Sequence, residues 1–141
     1  MEIAHTWASE WFVDSNGSLN VIVSLSPGNY ENLKAYAITA ANSNLASTAW
    51  SAPVELAGIG SNYIDTFIVK IGSTYHAFTK YETTKYIEYA TALSLTGPYT
   101  FQGTGDWANW GSWVEGPALV FRTSSSEISR HWRTSRYRTK S

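Results

Sequence analysis

Two stretches of this chain, EWFVDSNGSLNVIVSLS (10–26) and DTFIVKIGSTYHAFTKY (65–81), repeat one order of residue kinds. In each, an acid is followed by any residue, a phenylalanine and a branched apolar residue, then by a glycine turn and an alternating apolar strand. Glu10 thus pairs with Asp65, Phe12 with Phe67 and Gly17 with Gly72, all at an offset of 55. Downstream, KAYAITAANSNLAS (34–47) pairs loosely with YIEYATALSLTG (86–97), and WSAPVEL (50–56) and GPYTFQG (97–103) follow as short outer strands. A third copy opens at VEGPALVFR (114–122), where Glu115 stands 50 residues after Asp65. Units of four short strands at a period of 50 to 55 are the pattern of a propeller blade. The expectation is an all-β chain, a partial β-propeller of about two four-stranded blades plus the start of a third. A β-sandwich is the main rival, because strands of this length and spacing suit it too. Asn16-Gly17 and Ile71-Gly72 sit where hairpin turns are needed, and no window carries sustained helical periodicity with caps.

Composition agrees. A chain of 141 residues, 43% of them hydrophobic, fits one domain able to bury a core, and seven Trp, nine Tyr and five Phe favour pleated sheet over helix. The longest apolar runs are far too short to span a bilayer, and no leader follows Met1, so the chain as given is expected to be soluble without an export signal. With no cysteine, disulfides, thiolate metal sites and a cysteine nucleophile are excluded. The net charge of −1 hides a division: residues 1–121 hold ten Asp or Glu against four Lys, while 122–141 hold all five Arg, one Lys and one Glu. Residues 1–121 are therefore expected to form the domain and 122–141 an Arg-rich tail, unstructured or foreign to the fold. The other reading of such a run is a basic arm for nucleic acid or acidic lipid, but without a fold or an apolar face it is a poor specific binder, so no nucleic-acid or membrane partner is expected. The chain is expected to be a monomer.

The acids are the candidate site. An aspartate at the head of a half-buried strand is misplaced as core. In a blade, however, the first strand lies nearest the axis and its start faces one mouth of the channel, so Glu10, Asp65 and Glu115 would converge on one pocket. Carboxylates gathered in a cleft raise one another's proton affinity, so one can stay protonated while another is ionised, the arrangement glycoside hydrolysis needs. GDWANWGSWVEGP (105–117) brings Trp107, Trp110 and Trp113 toward Glu115, and Trp7 and Trp11 flank Glu10. Indoles stack on the apolar faces of sugars, so Trp107, Trp110 and Trp11 join Glu10 as candidate substrate-binding residues, although closing gaps between blades would also suit Trp11 and Trp50. His5, His76 and His131 show no ligand spacing, and no phosphate loop or nucleophile elbow is present.

WASEWF, YIDTFIVKIGSTYHAF, IEYATALSLTGPY and VEGPALV resemble, in that order, successive blade motifs of glycoside hydrolase family 43, over residues 5 to 121. The resemblance implies a five-bladed propeller that cleaves arabinose- and xylose-containing plant polysaccharides with inversion, outside the cell. It implies that Glu115, in VEGP, is the general acid and that Asp65, in YIDTF, tunes and orients it. Glu10 matches an acid beside the site, with Ser9 where the family has proline. The family's general base, an Asp in the first blade, has no counterpart, so this chain is expected to be a fragment of a hydrolase with little activity alone. No cofactor is expected, though some members carry an ion on the propeller axis. The alternatives are a catalytically silent sugar-binding propeller and a protein-interaction propeller.

Overall fold

The computed structural model describes residues 3–28, 32–45 and 48–119, and the backbone of 132–135. It is all-β, with no helix among the described residues. Strands β1 (His5–Val13), β2 (Leu19–Ser26), β3 (Lys34–Thr39) and β4 (Val54–Glu55) form one antiparallel sheet in chain order. Strands β5 (Tyr63–Ile71), β6 (Thr74–Tyr81), β7 (Tyr86–Ala92) and β8 (Thr100–Gly103) form a second sheet of the same design. A third unit begins with β9 (Glu115–Leu119), which pairs antiparallel with β10 (Trp132–Ser135). That last strand falls within the Arg-rich stretch, the rest of which lies outside the described residues.

Local chemistry accounts for both leading hairpins. The first turns through Asp14 to Ser18, where the Ser18 amide donates to Asn16 Oδ1 at 2.9 Å and Gly17 takes a φ of 84°. The second turns through Gly72 and Ser73, with Gly72 at φ 60°, a conformation that costs glycine nothing.

Alternating side chains then build one core between the sheets. Phe12, Ile22, Ala35 and Ala37 from the first meet Ile68, Tyr75, Ala77, Ala90 and Ala92 from the second, with Leu56, Ile59 and Tyr99 closing the side. The five alanines let the sheets approach, and Phe12 packs edge-on to Tyr75 at 6.0 Å. The other face of the second sheet is also apolar: Val69, Phe78 and Ile87, flanked by Phe67 and Tyr89, lie under Trp110 and Val114. On that same side β9 packs against β5 and β6. The second sheet is therefore the middle of three layers, and β5 is in contact with β1 on one side and β9 on the other.

A polar clamp joins the ends of the two hairpins. Asp14 accepts hydrogen bonds from Lys70 Nζ at 2.7 Å and from the Tyr75 hydroxyl, and the Lys70 ammonium lies 4.7 Å from the Tyr75 ring centre. Burial opposes the Asp14 charge, but the donors Lys70, Tyr75 and Ser15 outweigh it and hold the carboxyl at about 2. Unfolded, it titrates near 4, so the clamp stabilises the fold above about pH 4 and that contribution is lost as pH falls toward about 2. Urea midpoints measured across this window should drop less steeply with acid in Asp14→Asn than in the unsubstituted protein; identical slopes would show that the clamp carries no linkage.

Candidate functional site

All three leading strands carry the same irregularity at the same end. In β1 the pairing slips so that Ala8 and Ser9 lie between the Trp7–Ser24 and Glu10–Ile22 pairs. In β5, Asp65 and Thr66 lie between Ile64–Lys80 and Phe67–Phe78, and in β9, Gly116 and Pro117 lie between Glu115–Ser135 and Ala118–Arg133. Each bulge opens with a left-handed residue: Ala8 at φ 46°, Asp65 at 53° and Gly116 at 59°. A bulge of this kind bends the strand and re-aims its side chains. Around Asp65 it is pinned by threonines, for Thr66 and Thr79 hydroxyls lie 2.8 Å apart, buried, and Thr79 Oγ1 donates to the Ile64 carbonyl at 3.2 Å.

The bulges correct the sequence register. The true counterpart of Asp65 is Ala8, not Glu10, and the counterpart of Glu115 is Ile64 in the second unit and Trp7 in the first. Glu10 falls two residues beyond the start of its bulge and Glu115 one residue before. The first turn is longer than the second, so an alignment anchored on Gly17 and Gly72 drifts by two residues at the bulges.

Convergence survives the change in register. Glu10, Asp65 and Glu115 line one cleft of about 320 Å³ together with Trp7, Ala8, Gly116 and Pro117. A contiguous recess of about 590 Å³ shares Trp7, Asp65 and Glu115 and adds Asn62, Lys80, Glu82, Lys85 and Trp113. The Gly116 amide donates to the Asp65 carboxylate, joining the second and third bulges. Burial pushes the Asp65 carboxyl above the ordinary aspartate value; Lys80 and the Gly116 amide pull it down, while the negative charges of Glu115 and Glu82 add to the rise.

One cation organises the wall. Lys80, whose side chain is only 4% exposed, donates to Glu115 Oε1 at 2.8 Å and pairs with Glu82 Oε1 at 3.0 Å. Burial disfavours its charge, but these two carboxylates overcome that and raise its pKa. Glu82 also pairs with Lys85, and although burial works against its charge the two ammonium groups hold its carboxyl below the usual range. Lys85 in turn lies 5.6 Å from the Trp113 ring centre, and its carbonyl accepts a hydrogen bond from the Trp113 amide at 3.0 Å.

The tryptophans divide differently from expectation. Trp7, 49% exposed, and Trp113, 72% exposed, are the indoles that line the recess among the described residues. Trp107 and Trp110 do not line it. The loop that carries them folds over the outer face of the second sheet, where Trp107 Nε1 donates to the Ile87 carbonyl at 2.9 Å and its ring stacks on Tyr89 at 5.3 Å. Trp110 packs beside Val114 against Phe78 and Ile87, so both indoles cover apolar surface. Trp11 leans toward Trp50, ring centres 6.2 Å apart, and it too is absent from the cleft wall. Lys80, Glu82 and Lys85 are not singled out by the sequence reasoning. Their signal lies in TKYETTK (79–85), where two lysines bracket a glutamate at the end of a strand and can pair with it.

No group of three or more His, Asp or Glu among the described residues is arranged to hold a metal ion, and none of those residues forms a helix long and apolar enough to cross a membrane. Compared with protein-family models, curated proteins and solved structures, the chain finds no match.

Proposed function

We propose that this chain is part of an inverting glycoside hydrolase of the family 43 kind, a partial five-bladed β-propeller acting on arabinose- or xylose-containing plant polysaccharides outside the cell. The observation that carries this reading is the meeting of Glu10, Asp65 and Glu115, from three units, around one cleft beside exposed indoles. Three stacked layers with the same bulge at the same end favour blades over a two-layer sandwich, which has no place for a third sheet on the far face. Within the cleft, Asp65 is the carboxyl whose burial favours holding a proton, and Trp7 and Trp113 offer stacking faces to a sugar ring.

A specific contact favours a second reading, a sugar-binding cleft without turnover. Glu115 Oε1 accepts from the Lys80 ammonium, which leaves only Oε2 to carry a proton to a leaving oxygen. In addition, no acid of this chain matches the family's base, and general-base assistance contributes roughly a hundred- to ten-thousand-fold.

Tryptophan fluorescence during titration with arabino- and xylo-oligosaccharides tests both readings. Binding should be detectable and weaken several-fold in Trp7→Ala and in Trp113→Ala, since an aromatic contact contributes about 1 kcal/mol. Trp107→Ala should leave affinity unchanged. Very slow cleavage of an aryl arabinoside that vanishes in Glu115→Gln supports the hydrolase, and binding with no cleavage supports the silent module. No response to either sugar sinks both and leaves the interaction platform.

A further inference from the structure

We propose that Lys80 is the positioning residue of the cleft: its buried ammonium holds the Glu115 carboxylate, 35 residues further along the chain, at the rim beside Asp65. This rests on the cleft being the functional site, and not on which sugar enters it.

The side chain's placement is hard to explain by stability. Lys80 sits on β6 directly opposite Ile64, the last paired residue before the Asp65 bulge, and its parity along the strand is that of buried Phe78. Taking an ammonium out of water is costly, and a well-packed apolar side chain of the same length would serve the fold as well or better. What an apolar residue would lack is the reach across to the third unit. Among the described residues, Lys80 is the side chain of the second sheet that hydrogen-bonds a side chain of the third unit, and the partner it holds lines the cleft. The tether also fixes the backbone, because Gly116 follows Glu115 and its amide donates to Asp65. A two-point bridge results, one ion pair and one backbone hydrogen bond, between units that the chain joins only through a long connection.

The groups facing Asp65 are Lys80 from β6, Glu82 from the following turn, Glu115 and Gly116 from β9, and across the cleft Glu10 from β1. They give the proposal readouts that need no ligand. The chain has three aspartates, so selective carbon-13 labelling of their carboxyls resolves Asp65, assigned by its loss in Asp65→Asn. The Gly116 amide should titrate together with that carboxyl in the unsubstituted protein. In Lys80→Met the Asp65 midpoint should rise, because a positive neighbour is gone, and the Gly116 amide should cease to follow it; Lys80→Arg should restore both. Lys80→Met leaves Glu115, 61% exposed on its side chain, in water and Glu82 paired with Lys85, and Asp65 answers the loss by holding its proton more tightly, so the fold is expected to persist. Should it not persist, Glu115→Gln decides: Asp65 must then titrate lower. An Asp65 carboxyl and Gly116 amide that titrate alike in Lys80→Met and the unsubstituted protein overturn the proposal, as does an unmoved Asp65 in Glu115→Gln. Failure to bind any oligosaccharide, with these shifts present, would overturn the sugar reading alone.

Discussion

Gly58→Ala is expected to destabilise the protein by about 2–5 kcal/mol, combining a left-handed backbone penalty of about 1–2 kcal/mol with an overpacking cost of about 1–3 kcal/mol. Gly58 has a φ of 90°, and a Cβ there would overlap the carbonyl oxygen of Tyr99. The collision is with backbone, which cannot swing aside as a flexible side chain can. Gly58 belongs to the connection between the two sheets, where the Ala57 amide donates to Thr96 O at 3.0 Å and the Tyr99 amide to Ala57 O at 2.7 Å. Leu56, Ile59 and Tyr99, all buried in the shared core, flank this contact. Separating the strands here should therefore weaken both sheets at once. Gly72→Ala is the matched control: its φ is 60° but nothing lies within 4 Å of the added carbon, so only the backbone penalty of about 1–2 kcal/mol applies. Urea unfolding followed by tryptophan fluorescence separates the two, and equal losses would mean that the close approach at Tyr99 does not hold the sheets together.

The sheet architecture was legible because both leading hairpins announce themselves by alternation and by a glycine at the turn. Gly17 and Gly72 do sit in those turns, and Phe12 does point into the core. Register was not legible at the same level. A bulge adds one residue to one strand only, and nothing in WASEWF or YIDTFI marks which residue is left over; the clue of a left-handed backbone is conformational, and Ala8 is a poor advertisement for it. Glu10 and Asp65 therefore look equivalent in the sequence when they are not, although both reach the cleft.

The tryptophan-rich loop misleads for a different reason. Polar residues around Trp107 and Trp110 suggest the surface or the pocket, and Trp107 is 37% exposed; it is the pocket that fails, because the second sheet is apolar on both faces, with Ile68, Tyr75 and Ala77 on one and Val69, Phe78 and Ile87 on the other. A sheet buried on both sides must be covered twice, and the aromatic loop after β8 is what covers it. Lys80 escapes notice because a lysine near a strand end is normally solvated, and only packing of a distant segment on that face makes it buried.

The second large effect concerns Asp65, and it should have opposite signs for stability and function. Its carboxyl is pushed above the ordinary value by burial, so folding is opposed by the charge of the carboxylate. A raised carboxyl pKa contributes stability below the unfolded value near 4 and loses it as pH rises through the folded value, leaving the ionised group as a cost at neutral pH. An asparagine in its place would remove that cost, retain an oxygen for the Gly116 amide, and tolerate the left-handed backbone, in which asparagine is enriched. Asp65→Asn is therefore expected to raise the urea midpoint at pH 7. Function should move the other way: a charge-assisted hydrogen bond to a bound sugar contributes about 1.5–3 kcal/mol, so affinity should fall roughly tenfold or more, and any turnover roughly a hundredfold or more. Glu55→Gln supplies the comparison, because Glu55 lies on the short outer strand β4, paired with Lys34 at 3.0 Å, 39% exposed on its side chain and away from the cleft. It should leave sugar affinity unchanged and stability nearly so. A residue kept at the expense of stability is the mark of a working site. If Asp65→Asn and Glu55→Gln alter sugar affinity equally, or if Asp65→Asn lowers the midpoint at pH 7, the carboxylate is structural and the cleft is not where this protein acts.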